Sequence, residues 1–272
     1  MTMESRLSSL WHSAATGLCF LGFWLLAATA TLFILPFALI PPGQRARRVR
    51  RLAGVGFRLL LGWIEALGIG RFRVEGREWT DAARGRLLVA NHPCFLDVVA
   101  LLAYLPDANC VMKGNLRRHP FFALFVRAGG YLGNDSDPER VIEACRKAHE
   151  RGEAIVIFPE GSRSAPGAAP HFRRGAAQIA VRTGMEILPV TIRCTPPVLT
   201  HGRPWFRMPP ERFAHVLCLH KPRSPEAFAP LDGLLPSLAA RRLTQGLEDY
   251  FIRTLNAAEP MKIYTAAESS PQ

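Results

Sequence analysis

Short apolar runs alternate with helical stretches throughout the chain beyond Gly70, and this alternation constrains the fold more than any other feature. Six runs have the length of buried strands: 71–75, 86–90, 109–112, 153–158, 187–192 and 215–219. Between and after them lie segments with helical periodicity, including 136–152, 172–183 and 238–255. Strands that alternate with helices usually form a parallel sheet with helices on its faces. The pattern therefore predicts an α/β domain with a mixed, largely parallel sheet flanked by helices.

The length and composition suit one folded domain with an appendage. The chain has 272 residues, and single hydrophobic cores usually stop growing near ~250 to 300 residues. Its 49% hydrophobic and 21% charged residues exclude an intrinsically disordered chain. We therefore predict an N-terminal region over 1–70, a single main domain over 71–257 and a flexible tail over 258–272.

The N-terminal region contains a long uncharged segment. Residues 14–40 carry no charged side chain, and a helix of this length would exceed the ~30 Å hydrocarbon core of a bilayer. We therefore predict an N-terminal hydrophobic membrane helix that either spans the bilayer or lies in it. Pro36 can shorten this helix, because proline lacks the amide hydrogen that a helix interior needs. A cleaved secretory signal fits less well, since Arg6 is the only basic residue before the run.

A cluster of arginines follows the uncharged segment. Six arginines lie between Arg45 and Arg58, and no acidic residue appears until Glu65. Apolar residues recur there at helical spacing, which predicts a basic amphipathic helix over 44–68 that binds an anionic phospholipid surface. Because basic flanks lie on the cytoplasmic side of membranes, we expect the protein at the cytoplasmic face of the cell (inner) membrane. A solvated basic linker is the alternative interpretation.

The overall charge also indicates an anionic partner. The chain has 34 lysines and arginines against 22 acidic residues, which gives a formal net charge of +12. This charge suits nucleic acid, a phospholipid surface or a phosphorylated substrate. Nucleic acid is not expected, because no stretch interleaves basic and aromatic residues in the manner of RNA-binding sheets.

The cysteines and most of the histidines form no pattern that is typical of a metal site. The six cysteines are widely spaced without a CxxC pair, so neither a zinc site nor a disulfide framework is indicated. Seven scattered histidines are interpreted as structural or surface residues: His12, His119, His149, His171, His201, His215 and His220. We therefore expect neither a metal nor a bound cofactor.

Residues 91–97 form the first motif with catalytic potential. They follow the apolar run 87–90, so they should lie at the carboxyl end of a strand, where the sites of α/β proteins gather. Pro93 favours the first turn of a helix, which would bring Asp97 back towards the His92 imidazole. A carboxylate bonded to one ring nitrogen fixes the tautomer and leaves the other nitrogen free to take a proton from a hydroxyl. Taken alone, the pair is also compatible with a structural histidine and an ordinary helical aspartate.

The second motif covers residues 158–164 and follows another apolar run, 154–157. Gly161 permits a close backbone approach, and Arg163 offers several N–H donors to a phosphate group. The turn therefore suits an anion, and a plain strand-ending turn is the alternative.

Together the two motifs resemble the glycerolipid (lysophospholipid) acyltransferase family, whose signatures are Asn-His-x4-Asp and Phe-Pro-Glu-Gly-[Ser/Thr]-Arg. The resemblance extends across about 71–193, where Lys113, Pro120 and Gly129 are similar to the family's second block and 188–190 to its fourth. The N-terminal region is similar to the two-helix membrane motif of bacterial 1-acyl-sn-glycerol-3-phosphate acyltransferases.

The resemblance implies an O-acyltransferase domain over 71–257. It would transfer a fatty acyl group from acyl-CoA or acyl-carrier protein to the hydroxyl of a lysolipid, most closely 1-acyl-sn-glycerol-3-phosphate, to give phosphatidate in phospholipid biosynthesis. By the same resemblance His92 is the general base and Asp97 orients it. The hydroxyl attacks the thioester directly, so Cys94 is not expected to act as a nucleophile.

The resemblance also implies four substrate-binding residues. Lys113 and Arg163 would bind the acceptor phosphate. Glu160 and Gly161 would shape the acceptor pocket. One position departs from the family, because the block that begins at Gly130 usually reaches an Arg six residues later, where this chain has Ser136. The missing cation admits an alternative, an O-acyltransferase of the same family with a non-glycerophosphate lipid acceptor. A non-catalytic basic membrane-binding protein would explain the charge but neither motif.

Overall fold

The computed structural model describes residues 3–34, 42–118, 123–134, 137–165, 167–200, 202, 204, 208–209 and 211–258. Within these residues the α-helices are Met3–Ile34 (α1), Pro42–Ala66 (α2), Asp97–Tyr104 (α3), Ala123–Ala128 (α4), Pro138–Glu150 (α5), Gly175–Thr183 (α6) and Pro236–Ala257 (α7). The strands are Gly70–Glu75 (β1), Leu87–Ala90 (β2), Asn109–Met112 (β3), Leu132–Gly133 (β4), Ile155–Ile157 (β5), Ile187–Thr195 (β6) and Phe213–Leu219 (β7).

The strands form one sheet in the order β1-β7-β6-β2-β5-β3-β4. The pair β6–β7 is antiparallel, and the other neighbouring pairs are parallel. The predicted α/β fold with a mixed, largely parallel sheet is therefore confirmed. All six predicted strands are present, and β4 was not predicted because two residues carry no periodicity.

The central strand β2 shows why the sheet is covered on both faces. Its four residues are buried, and successive side chains of a strand point to opposite faces. Leu88 and Ala90 pack on the face covered by α2 and α3. Leu87 and Val89 pack on the face covered by α5, α6 and α7. A near-continuous apolar run is what a parallel strand between two helical layers requires.

Arginines of α2 join this helix to the sheet domain. Arg50 is only 2% exposed and forms an ion pair with Glu153 at 3.2 Å, and its Nη1 donates to the Gly129 carbonyl at 2.9 Å. Arg51 donates to both carboxylate oxygens of Asp107 at 2.6 and 2.8 Å. The predicted basic amphipathic helix exists with slightly different bounds. However, Arg50 is an internal residue and not part of a surface that a membrane can reach.

Within the described part of the chain, no helix combines the length and the apolar character that a membrane crossing requires. The transmembrane helix expected within 14–40 is therefore not confirmed. The helix in this region, α1, begins at Met3 and includes polar and charged residues before the uncharged run. Residues 35–41 lie outside the described residues.

Two predicted element boundaries are wrong. The helix after the first motif begins at Asp97 and not at Pro93, because residues 91–96 form an irregular turn. The following long helix, α5, is capped by Asp137, whose side chain accepts from the Glu139 backbone N–H at 3.1 Å. Ser136, where the predicted helical segment begins, and residues 259–272 of the predicted tail lie outside the described residues.

Candidate active site

The sequence motifs lie at one edge of the sheet because the strands that precede them are parallel neighbours. His92 follows β2, the second motif follows β5, and Lys113 follows β3. The sheet order places β5 between β2 and β3. The carboxyl ends of these strands therefore meet at the same edge, where α/β proteins usually bind their ligands.

His92 and Asp97 form the hydrogen-bonded pair that the sequence predicted. His92 Nδ1 lies 2.7 Å from Asp97 Oδ2, and the Cys94 backbone N–H donates to the same oxygen at 2.8 Å. Asp97 is fully buried (0% exposed), whereas His92 is 17% exposed. Since Asp97 is the first residue of α3, the positive end of the helix dipole also favours its negative charge.

This geometry assigns the tautomer of His92. An ionised carboxylate only accepts hydrogen bonds, so the imidazole must donate through Nδ1–H. The lone pair then lies on Nε2, on the opposite side of the ring. Nε2 is therefore the atom that can take a proton from a substrate hydroxyl.

A second histidine, His215, bonds to the other oxygen of Asp97, and the sequence interpretation missed it. Its Nε2 lies 2.7 Å from Asp97 Oδ1, and its side chain is 1% exposed. His215 had been interpreted as a structural or surface residue. The alternation within β7 was a usable signal, because Phe213, Leu217 and Leu219 share its face and belong to the core.

Glu160 connects the two motifs. Its Oε1 accepts from the His92 backbone N–H at 2.9 Å, and its Oε2 accepts from the Ser164 hydroxyl. The Ser164 backbone N–H in turn donates to the His92 carbonyl at 2.8 Å. Burial raises the pKa of the Glu160 carboxyl, although contacts with Ser164 and His92 oppose this effect. Glu160 was predicted to shape the acceptor pocket, and in this structure it holds the backbone of His92.

Two further residues of the second motif fix the shape of the site. The Phe158 ring packs on the His92 imidazole with 4.5 Å between ring centroids. Gly161 has φ +72°, and a Cβ at this position would lie 3.1 Å from Arg173 Nε. A side chain at this position is therefore disfavoured by both backbone strain and crowding.

Arg163 and Lys113, the two residues predicted to bind phosphate, differ in their contacts with the rest of the protein. Arg163 donates through Nη1 to the Leu199 carbonyl at 2.7 Å, and its guanidinium lies 5.8 Å from the centre of the Phe95 ring. Phe95 belongs to the turn that carries His92, so Arg163 lies beside the first motif. Lys113 lies directly after β3 and its side chain is exposed.

A small apolar cavity of about 30 Å³ opens next to the first motif. Phe95, Leu96 and Val99 from the motif and α3 form one wall. The other walls come from α1, α2 and the β7 region: Thr16, Cys19, Phe20, Phe23, Leu60, Ile64, Ile69, Leu199, Met208 and Phe213. The surface beside the turn of His92 is therefore apolar.

Cys94 lies beneath the pair but is unsuited to nucleophilic attack. It is completely buried, and a hydrogen bond with Cys194 together with burial holds its pKa well above the usual value. The ligand-type atoms of Cys94, Asp97 and His215 lie within 4.8 Å of one another. A metal bound there would compete with the hydrogen bonds that Asp97 already accepts, including the one from His92.

Comparison with known proteins agrees with the family that the two motifs resemble. A family model described as Acyltransferase matches residues 71–193. A 1-acyl-sn-glycerol-3-phosphate acyltransferase from Cocos nucifera is 27% identical over 184 residues, which cover 65% of this chain and 57% of that protein. The Helicobacter pylori protein of the same name is 30% identical over 113 residues, which cover 39% and 48%. The chain spans roughly a third to a little over half of the length of the first curated relatives that it matches.

A solved structure shares the fold. The crystal structure of the 1-acyl-sn-glycerophosphate acyltransferase PlsC from Thermotoga maritima matches with a TM-score of 0.66 and 22% identity. The match covers 94% of this chain and 98% of that chain. The model match includes both motifs and the hydrogen-bonded His92–Asp97 pair. These findings show that residues 71–193, which carry both motifs, are similar to the Acyltransferase family and that the chain shares the fold of a solved acyltransferase.

Proposed function

We propose that this protein transfers a fatty acyl group from a thioester donor to the free hydroxyl of 1-acyl-sn-glycerol-3-phosphate, with phosphatidate as the product. The observation that carries the proposal is the 2.7 Å contact between His92 Nδ1 and the buried Asp97 carboxylate. This contact leaves Nε2 as a base at the carboxyl edge of the sheet. Members of this family act on a hydroxyl and need such a base.

The reaction proceeds by addition followed by elimination, and protons and charge balance across the two steps. His92 Nε2 takes the proton of the acceptor hydroxyl while the hydroxyl oxygen forms a bond to the thioester carbonyl carbon. Negative charge develops on the carbonyl oxygen, and the buried Asp97 carboxylate stabilises the imidazolium. The C=O double bond then re-forms as the C–S bond breaks, and the departing thiolate takes the proton back from Nε2. No acyl-enzyme forms.

Charge at the site supports a phosphorylated acceptor. The Arg163 guanidinium and the exposed Lys113 ammonium are the cations that the resemblance assigns to the phosphate. A guanidinium can donate two parallel hydrogen bonds to phosphate oxygens, and its contact with the Leu199 carbonyl fixes its position. We expect Arg163 to contribute mainly to the affinity for the acceptor.

The apolar side chains around the small cavity beside Phe95 support a fatty acyl substrate, and the cavity must widen to admit the chain. Its walls are side chains of α1, α2 and α3, so a chain in the cavity would have one end near the turn of His92. Burying apolar surface releases about 25 cal/mol per Å². Acyl-CoA and acyl-carrier protein both present such a chain as a thioester, and both are proposed as donors.

The N-terminal helices support a location on a phospholipid surface at the cytoplasmic face of the membrane. Several large apolar side chains of α1 are exposed: Leu7, Leu10, Trp11, Leu18, Leu21, Trp24 and Leu25. α2 adds exposed arginines such as Arg48 and Arg51. An apolar face beside cationic side chains is typical of helices that lie in the interface of an anionic bilayer.

The experiment is a transfer assay with the full-length protein in mixed micelles that contain anionic phospholipid. We expect the wild type to acylate lysophosphatidate with acyl-CoA or acyl-carrier protein, and His92→Ala to abolish transfer. His171→Ala is the matched control, because His171 is an exposed histidine with 89% of its side chain accessible. Absence of transfer by the wild type to any lysolipid with either donor would overturn the proposal.

A lipid acceptor without a glycerophosphate group is the second candidate, because the sequence lacks one cation that the family usually has. Asp135 and Ser136 occupy the place where the family usually has a cation, and both lie outside the described residues. An acceptor without phosphate would tolerate this change. Comparing lysophosphatidate with its dephosphorylated analogue, monoacylglycerol, distinguishes the two. Equal rates with both, unchanged by Arg163→Ala, would favour the non-glycerophosphate acceptor.

A further inference from the structure

We propose that His215 is a positioning residue for the acyl transfer: from β7 it holds the Asp97 carboxylate in the orientation in which Asp97 orients His92. The inference rests on the proposed function for its kinetic test. His215 is remote from the motifs in sequence, and the family signatures described above do not include it.

Hydrogen bonds to both oxygens fix the plane of the Asp97 carboxylate. Oδ2 accepts from His92 Nδ1 at 2.7 Å and from the Cys94 backbone N–H at 2.8 Å. Oδ1 accepts from His215 Nε2 at 2.7 Å. The χ2 torsion of aspartate is broad, so the torsion itself does not hold the carboxylate plane. The contact at Oδ1 therefore prevents a rotation that would turn Oδ2 away from His92.

His215 suits this role because the sheet holds it rigidly. It lies between two paired neighbours, Phe72 on β1 and Cys194 on β6. The Phe72 ring contacts the His215 ring with 5.5 Å between centroids. His92, in contrast, lies in an irregular turn. Because His215 is held within the sheet, it can fix the position of Asp97, whose partner His92 lies on a loop.

The second ring nitrogen indicates that His215 is neutral. Nε2 must carry a hydrogen to bond the acceptor-only carboxylate. Nδ1 is buried and has no hydrogen-bond partner among the described residues. A hydrogen on Nδ1 would be a buried donor without an acceptor, which is more costly than an unused lone pair. His215 therefore donates one hydrogen bond without cancelling the negative charge that Asp97 needs to stabilise the His92 imidazolium.

The test compares three substitutions of His215 in the full-length protein. His215→Phe preserves the ring that packs on Phe72 but removes the donor. His215→Gln places an amide N–H at the position of Nε2, whereas His215→Asn has a shorter side chain whose amide corresponds to Nδ1. His220→Phe is the control, because His220 follows β7 directly and bonds Thr191 at 2.8 Å, away from Asp97.

A positioning role predicts a specific kinetic pattern. His215→Phe and His215→Asn should lower kcat roughly 10- to 150-fold, the effect expected for one lost hydrogen bond to a charged group, and leave KM for both substrates within about twofold. His215→Gln should retain most of kcat, and His220→Phe should resemble the wild type. In an Asp97→Asn background, His215→Phe should lower kcat less than about threefold, because the two residues act as a unit.

Three kinetic results would overturn the inference. The first is a kcat for His215→Phe within about threefold of the wild type. The second is an equal loss of kcat for His215→Gln and His215→Asn, which would indicate that His215 acts through packing and not through its hydrogen bond. The third is that His215→Phe lowers kcat as much in the Asp97→Asn background as it does in the wild type.

Crystal structures separate this inference from the proposed function. In His215→Phe, or in His215→Asn if the former does not fold, we expect the carboxylate to rotate and the His92–Asp97 contact to lengthen. An unchanged contact would overturn the inference even if the wild type proved inactive on every lysolipid.

Discussion

Glu160→Ala tests whether the contact between the two motifs places the catalytic histidine. The Glu160 carboxylate accepts from the His92 backbone N–H at 2.9 Å and from the Ser164 hydroxyl. Alanine removes both acceptors and frees the turn that carries His92. A hydrogen bond to a charged group contributes about 1.5 to 3 kcal/mol, so loss of one such contact from the transition state should lower kcat about 10- to 150-fold.

The melting temperature should change much less than kcat. Burial raises the pKa of the Glu160 carboxyl, which means that desolvation of the charged form opposes the favourable contacts with Ser164 and His92. Alanine removes the desolvation penalty together with these contacts. The two effects offset each other, so we expect the variant to unfold within a few degrees of the wild type.

The assay measures thiol release from acyl-CoA at saturating lysolipid and compares two further variants. Glu160→Gln keeps an acceptor for the His92 N–H and should retain far more activity than alanine. Glu143→Ala removes an exposed carboxylate that pairs with Lys147 on α5 and should leave kcat unchanged. The reasoning is refuted if Glu160→Ala keeps kcat within twofold of the wild type, or if glutamine and alanine lose equal activity.

Three further predictions concern stability, the acceptor and the membrane. For Glu153, the partner of Arg50 at 3.2 Å, burial raises the carboxyl pKa but ionic and hydrogen-bond contacts outweigh it and lower the pKa. A carboxyl group whose pKa is lowered by folding stabilises the fold at neutral pH, and this stabilisation is lost as the pH falls through the lowered pKa. Glu153→Gln should therefore lower the melting temperature at neutral pH, and the difference from the wild type should become smaller at acidic pH. Arg163→Ala should raise the acceptor KM by roughly 10- to 150-fold and change the donor KM little, and an unchanged acceptor KM would remove Arg163 from the phosphate site. Leu10→Ser with Trp11→Ser should weaken binding to anionic vesicles by roughly tenfold in a co-sedimentation assay, and undiminished binding would show that α1 does not enter the interface.

The sequence predicted the sheet and the contact between His92 and Asp97 because both depend on local patterns. Runs such as 87–90 and 154–157 are continuously apolar, since helices cover both faces of the strands. His92 and Asp97 are five residues apart, so a single turn brings them together. Glu160 was assigned to the site from its motif, but its bond to the His92 backbone depends on β2 and β5 being neighbours.

The missed features depend on contacts between distant segments. His215 reaches Asp97 only because β7 pairs with β6 and β6 with β2, an order that no local pattern encodes. Arg50 belongs to a basic run that indicated a surface, yet its ion pair with Glu153 exists only because α2 packs on the sheet domain. Both are buried polar residues, whose partners become evident once the tertiary fold is known.

The central claim is that His92 removes the proton of the acceptor hydroxyl while Asp97 orients it. The most direct measurement is kcat for His92→Ala, Asp97→Asn and the double variant with lysophosphatidate and acyl-CoA, with folding checked by melting temperature. Residues that act as one unit have strongly non-additive effects. If His92 and Asp97 act together in this way, both single variants lose activity severely and the double variant is no slower than His92→Ala. A folded His92→Ala protein with more than about a tenth of the wild-type kcat would contradict it, since general-base catalysis contributes about 10²- to 10⁴-fold.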